Sequence, residues 1–471
     1  MPESDLNMIL PKFHDRRFEL NDEVHARPPQ AIIAPARASF LVLTSNWTQR
    51  DQDAEPVREL ARRHHISGPE PGMNYFVADF ETFRMKWERH TEFTRYTFFL
   101  PGLGRGDNNT PFADPALNSL PEDWIASLPG DVMVAAHAAI TSPDRRPPDF
   151  DAMSRDLFAG NMLVGASMAG GLCQAVTDFR IQPDGFSRIL VQETSPGNGQ
   201  PRSRDKDMMS WQTGRILQRL LDVETYRMMA LLALPLSREL TPILAQQERE
   251  LEQITSGMAG TLSNGTEANA PANETALLDR LMRLQAAIES RHSNAHYRFS
   301  AATAYYGLVR QRISELRETR IEGLQTFQEF TERRLAPAMN TCGAVAARQA
   351  SLSTRVARAT QLLSTRVDVE REKQNQSLLA SMDRRAAVHL RLQETVEGLS
   401  VAAITYYVVG LINYAAKAVK AAGVPLDPTL VVGLSIPLVA IAVALGVRSI
   451  RKHVAPPASA ARTGSWWTFY R

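Results

Sequence analysis

Two stretches near the C-terminus, Gly398 to Ala416 and Thr429 to Val447, each run for about 19 residues without a charged side chain. As a helix, each rises roughly 28 Å, close to the hydrocarbon thickness of a bilayer. Neither shows the polar face that a long helix at a protein surface carries. The pattern therefore predicts a transmembrane hairpin over residues 398–447, joined by the link Lys417 to Pro428. Arg384, Arg385 and Arg391 precede the first stretch, and Arg448, Arg451 and Lys452 follow the second. The link has Lys417, Lys420 and Asp427. By the positive-inside rule both ends face the cytoplasm and the link lies outside. Tyr406, Tyr407, Gly410, Asn413 and Tyr414 are the distinctive residues of the first stretch. Tyr414 suits the interface, Tyr406 and Tyr407 need hydrogen-bond partners on a packing face, and Gly410 allows a second helix to come close. Pro437 is placed to kink the second stretch.

Upstream, the period of the pattern changes twice. Ala38 to Leu43, Asn74 to Trp87, Phe93 to Leu100, Val132 to Ile140, Met162 to Thr177 and Phe186 to Gln192 are rich in β-branched, aromatic and apolar residues and read as strands. Glu55 to His65 and Pro121 to Leu128 read as short helices, and Pro183-Asp184-Gly185 as a turn. Gly170-Gly171 reads as a bulge or a close approach. These elements predict an α+β domain over 1–200 with a mainly antiparallel sheet. From Trp211 the spacing is helical, with apolar residues wrapping most of the surface as far as Leu234, where Leu234-Pro235-Leu236 breaks or kinks the helix. A second helix runs from Thr241, and Ser256 to Asn273 lacks periodicity and reads as a loop. From Glu274 to Glu397 only Pro337 and Gly343 interrupt the helical pattern, which predicts long antiparallel helices or a coiled coil over 201–397 and a stalk entering the first span. The tail, 448–471, is basic and aromatic; its closing Trp466-Trp467-Thr468-Phe469-Tyr470-Arg471 suits a headgroup layer or a disordered end.

Composition narrows the chemistry. Across 471 residues the net charge is only +2, which gives no electrostatic case for nucleic acid. The mean hydropathy of −0.25 makes the membrane part a small share of the chain. Cys173 and Cys342, far apart, predict neither a disulfide framework nor a metal site, and residues 1–17 lack the apolar core of a signal peptide. Asn21, Glu23, His25 and Arg27, if extended, share one face and form a candidate ligand-binding strip ended by Pro28-Pro29. Gly102-Leu103-Gly104-Arg105-Gly106-Asp107 lacks the Lys-Ser/Thr pair of a phosphate loop. Gly165, Gly170 and Gly171 miss the dinucleotide spacing, adjacent His64-His65 point apart, and Asp178, Arg180, Asp184 and Arg188 read as an ion-paired hairpin face. No catalytic constellation stands out. The expectation is a non-enzyme whose metal and cofactor requirements are open.

Long motifs carry a resemblance: Glu19-Leu20-Asn21-Asp22-Glu23-Val24-His25-Ala26-Arg27-Pro28-Pro29, Thr177-Asp178-Phe179-Arg180 with Asp184-Gly185-Phe186-Ser187-Arg188, Glu224-Thr225-Tyr226-Arg227, and Glu394-Thr395-Val396-Glu397-Gly398-Leu399-Ser400. Over nearly its whole length the chain resembles a bacterial family of uncharacterised membrane-anchored proteins, domain of unknown function 3422. The resemblance implies anchoring in the inner membrane and no settled activity. The layout of cytosolic domain, stalk and two spans is also similar to the CorA class of magnesium channels. That class has Gly-Met-Asn at the end of its first span, where this chain has Gly410-Leu411-Ile412-Asn413-Tyr414, and Gly72-Met73-Asn74 lies in the predicted soluble domain. The leading expectation is a homo-oligomeric inner-membrane protein that binds a cytosolic protein or small ligand. The alternative is a cation channel with Asn413 at its mouth.

Overall fold

The computed structural model describes residues 12–18, 20–21, 28–44, 52–143, 149–194, 203–263, 270–422 and 427–454. The chain forms two compact units, Met1–Ala270 with Ala276–Gln361, and Pro271–Thr275 with Leu362–Arg471.

The first unit is built on a nine-stranded sheet in the order β2-β3-β4-β1-β5-β8-β7-β6-β9. The strands are β1 Ala36–Thr44, β2 Tyr75–Phe80, β3 Phe83–Arg89, β4 Phe93–Pro101, β5 Asp131–Thr141, β6 Val164–Met168, β7 Cys173–Thr177, β8 Ser187–Glu193 and β9 Thr319–Arg320. Neighbours pair antiparallel except β5 and β8, which run parallel because the chain makes an excursion through a helix and two strands between them. The run Asn74 to Trp87 is two strands, because Glu81 takes a φ of 30° and turns the chain. Met162 to Thr177 likewise splits at Ala169, Gly170 and Gly171, all with positive φ, so the glycine pair makes a hairpin turn and not a bulge. The Pro183-Asp184-Gly185 turn forms as expected, with Gly185 at φ 86°.

Both faces of the sheet are covered. On one, Leu41, Met85, Trp87, Tyr96 and Phe98 pack against α1 (Glu55–Arg63) and α2 (Glu122–Ala126). Trp124 of α2 is fully buried there and donates its indole N–H to the Pro56 carbonyl at 2.7 Å. A second cluster gathers Ala139, Val176 and Leu190 under Leu157 and Phe158, at the end of α3 (Phe150–Leu157). Across the other face lies α4 (Ser203–Leu231), which packs on β5 and β8. Its Ile216, Leu217, Leu220, Leu221 and Val223 are all buried, which is why the sequence shows apolar residues around most of this helix.

The helical half departs from expectation at three places. Residues 256–263 continue α5 (Ala233–Ser263), and α6 (Ala270–Leu316) resumes after residues 264–269, so most of the predicted loop is helix. Pro235 lies in the first turn of α5, where the N–H it lacks has no helical partner, so the break comes just before it. The stretch Glu274 to Glu397 is not interrupted at Gly343, which sits inside α8 (Ala336–Ala421), and Pro337 opens that helix. The interruption comes at Arg317, with φ 46°, and leads into β9 and Gly323, with φ 86°. Helix α7 (Phe327–Arg334) then starts at a capping box, in which Thr326 Oγ1 accepts from the Glu329 N–H and the Glu329 carboxylate accepts from the Thr326 N–H.

In the second unit, Arg366 pairs with Glu274 at 2.6 Å. Helix α8 continues through residues 398–416 to Ala421 without a break, and α9 (Pro428–Val454) begins beside Asp427, which accepts from the Thr429 N–H at 3.0 Å. Among the described residues, three helical stretches are long and apolar enough to cross a membrane by length and composition: Asp207–Ala259, Phe327–Ala421 and Pro428–Ser449. The apolar window of the first is partly buried within the protein, whereas those of the other two have no buried residues.

Candidate functional site

Strand alternation sends Met85, Trp87, Tyr96 and Phe98 to one side of the sheet and Lys86, Glu88, Arg95 and Thr97 to the other, under α4. Because α4 covers that face, four polar side chains become interior: Lys86 and Arg95 are each 3% exposed and Glu88 only 4%. Lys86 pairs with Glu88 at 3.1 Å. Arg95 Nη1 donates to Asp222 Oδ1 at 2.6 Å, and Arg312 Nε of α6 donates to Asp222 Oδ2 at 2.8 Å. Glu315 then joins Arg312, at 2.9 Å, to Arg219, at 3.1 Å. Burial opposes the charge on Arg95, but Asp222, Tyr226 and Glu88 outweigh it and hold the guanidinium above its ordinary value. The same cation lies 5.0 Å from the Tyr226 ring centroid and 5.3 Å from that of Phe93.

Two spaces adjoin this network. A cavity of about 20 Å³, the size of one water, is lined by Lys86, Glu88, Arg95, Gln218 and Asp222 among others. A cleft of about 320 Å³ is lined by Pro29, Arg215, Gln218, Arg219, Asp222, Arg312 and Glu315. Gln218 and Asp222 line both. The segment that borders them is held by a close backbone approach: the Ile32 N–H donates to the Ser210 carbonyl at 3.0 Å, and a Cβ on Gly214 would lie 1.7 Å from the Gln30 oxygen. Gln30 donates to the Tyr75 hydroxyl at 3.3 Å, and burial, aided by Glu88, pushes that phenol up to about 12.

Glu23, His25 and Arg27 lie outside the described residues. Asn21, the first residue of the predicted strip, is helical, and the Leu20 N–H bonds to the Arg16 carbonyl at 3.0 Å, so the extended face does not begin there. The chain is described again from Pro28, and Pro29 walls the arginine cleft. The Asp222 network was not predicted: in the sequence the charges of β3 and β4 show only as a partial alternation with apolar residues. The available signal was strands with charge on one face beside a helix apolar almost all round: such a helix must cover something.

Other groups serve the fold. Ser39 and His137 resemble a nucleophile and base, with Oγ 2.9 Å from Nδ1. Ser39 is fully buried, however, its oxygen also accepts from the Leu117 N–H at 3.0 Å, and the imidazole stacks on Phe186 at 3.9 Å. Burial pushes His137 down from 6.5 to about 4, against Asp184, which favours its charge, and with Arg188, which opposes it. The unfolded chain therefore takes up this proton first, so stability is full above about pH 6.5 and falls by up to about 3 kcal/mol as pH drops through 4. Denaturant midpoints measured from pH 7 to pH 4 should fall less steeply in His137→Gln than in the parent. Burial likewise raises Cys173 to about 11, leaving a thiol rather than a thiolate beside Thr213.

Gly102 to Asp107 is a plain loop in which Asp107 accepts from the Asn109 and Thr110 N–H groups at 2.8 and 2.9 Å. Of the predicted hairpin pairs, Arg188 meets Asp184 at 3.5 Å, while Asp178 accepts from Asn161 and Gln182. His64 packs edge-on to Phe80 and Phe83. No group of three His, Cys, Asp or Glu side chains able to hold a metal occurs among the described residues.

In the second unit the four predicted span residues come together. Tyr406, Gly410, Asn413 and Tyr414 line one cleft of about 710 Å³ with Thr405, Lys417 and, from α9, Val432 and Ile436. Tyr406 and Tyr414 are 78% and 73% exposed, and a Cβ on Gly410 would meet nothing within 4 Å.

The family model "Protein of unknown function (DUF3422)" matches residues 12–454. The chain belongs to this family. The match takes in the sheet, the arginine cleft and both C-terminal apolar helices, so the DUF3422 unit includes all of them. Neither the curated proteins nor the solved structures contain a match.

Proposed function

We propose that this DUF3422 protein is a bacterial inner-membrane protein whose sheet unit faces the cytoplasm and binds a partner or small ligand, without catalysing a reaction. The observation that carries this reading is the state of the two C-terminal apolar windows, which have no buried residues although Leu430, Leu434, Leu438, Ile441 and Leu445 are more than half exposed on α9. Such a surface on two adjacent helices is suited to lipid. The arginine cleft, lined among the described residues by Arg215, Gln218, Arg219, Asp222, Arg312 and Glu315, supports a binding role. Membranes carrying the full chain should retain it through alkaline carbonate extraction. Leu434→Arg with Leu438→Arg, each costing about 2.5–3.5 kcal/mol at a span centre, should release it. Recovery of the parent chain in the supernatant would reject the membrane reading.

A second reading, a homo-oligomeric cation pathway of CorA-like layout, draws on the convergence of Asn413 and the tyrosines on one cleft. Lys417 in the same wall counts against cation passage. Liposomes holding the purified chain should show no flux of magnesium or other divalent cations. Flux abolished by Asn413→Leu would replace the binding reading with this one.

A further inference from the structure

The polar lining of the cavity and the cleft, taken together, is short of acceptors for its guanidinium groups and of negative charge. Its cations are Lys86, Arg95, Arg215, Arg219 and Arg312, and its anions are Glu88, Asp222 and Glu315. Among the described residues, five against three leaves an excess of two positive charges. Arg95 is 3% exposed, yet its Nε and Nη2 have no hydrogen-bond partner among the described residues. Buried donors are almost always satisfied, and a guanidinium most of all. Arg215 is exposed on the cleft wall and makes no ion pair among the described residues. The cleft of about 320 Å³ is at the small end of ligand sites, large enough for a compact charged group.

From this balance we propose that the cleft binds a small dianionic oxyanion of the phosphate-monoester type, held by Arg215, Arg219 and Arg312 with the Gln218 amide at its base. Two negative charges match the excess of two, and arginine forks suit tetrahedral oxyanions through paired N–H donors. Arg219 and Arg312 now share Glu315, so the ligand competes with that carboxylate for them. Arg95 does not line the cleft; it lies behind the wall residue Asp222, to which it is bonded, and adds to the local positive potential. This inference rests on the binding role proposed above but not on membrane attachment.

The test is thermal unfolding of the detergent-purified full chain at about pH 8, where phosphate is mainly dianionic. Inorganic phosphate is titrated against sodium chloride and succinate at matched ionic strength. Phosphate should raise the midpoint in a saturable way and chloride should not. Arg215→Ala should weaken the apparent affinity about tenfold, and Glu315→Gln should strengthen it, because the competing carboxylate is gone. That opposite sign is one a purely structural role for Glu315 does not produce. Equal midpoints in phosphate and chloride would overturn the proposal, as would a response to succinate alone or a phosphate response unchanged in Arg215→Ala. Carbonate extraction of the same variants separates the two readings: a chain that stays in the membrane but ignores phosphate loses this ligand and keeps its anchor.

Discussion

Asp222→Ala should lower the unfolding free energy by about 3–5 kcal/mol, the range for removing one partner of a buried ion pair. Asp222 is the acceptor for both Arg95 and Arg312, at 2.6 and 2.8 Å, and it is itself 3% exposed. Without it, Arg95 keeps its charge, since a guanidinium does not deprotonate in the accessible range, and sits in the interior with aromatic faces and the field of Glu88 but no hydrogen-bonded carboxylate. Asp222→Asn retains one acceptor oxygen and should lose less. The double change Arg95→Met with Asp222→Leu should recover much of the loss, because a buried ion pair replaced by apolar groups of similar volume is often neutral or better. Denaturant midpoints of the four chains settle the matter. A loss below about 1 kcal/mol for Asp222→Ala would place the pair in water, contrary to its burial.

Gly214→Ala should be the other severe change, and its sign follows from comparing two magnitudes. Within a helix, replacing glycine by alanine ordinarily gains about 1 kcal/mol. Here the added Cβ would fall 1.7 Å from the Gln30 carbonyl oxygen, which is main chain and cannot rotate aside. Either α4 or the segment from Pro28 to Ile32 must move away. Movement breaks the Ile32 to Ser210 hydrogen bond, exposes the buried Ile32 and opens the wall of the arginine cleft, a loss of about 2–4 kcal/mol. Gly307→Ala, in α6 with nothing within 4 Å of its Cβ, is the control and should be neutral or slightly stabilising. Limited proteolysis near residue 30 should accelerate in Gly214→Ala and not in Gly307→Ala.

These two residues also mark what the sequence did and did not make legible. Regular period gave the strands well, since Ala38 to Leu43, Phe93 to Leu100 and Phe186 to Gln192 alternate or run apolar as a covered sheet requires. It also placed Tyr406, Gly410, Asn413 and Tyr414 on one stretch, which the structure gathers into one cleft. Partnership was hidden. Arg95 and Asp222 are 127 positions apart, and Asp222 is one of several charges along its helix, so no local feature distinguishes it. Gly214 looked like an ordinary helix glycine, because what it accommodates is a distant backbone oxygen. Strand β9 escaped because two residues carry no period, although Gly323 and the Thr326-to-Glu329 capping box signalled a helix start shortly after it.

The claim on which the functional reading turns is that α8 and α9 cross the membrane and leave the sheet unit in the cytoplasm. The direct measurement labels intact cells with a membrane-impermeant maleimide, using single cysteines at Lys420→Cys in the link and Arg291→Cys on the exposed surface of α6. Cys173 and Cys342 are both buried, and burial raises both thiols, so the background is low. The account predicts labelling at position 420 in intact cells and at position 291 only after permeabilisation. Labelling of position 291 in intact cells, or protection of position 420 until permeabilisation, would contradict it.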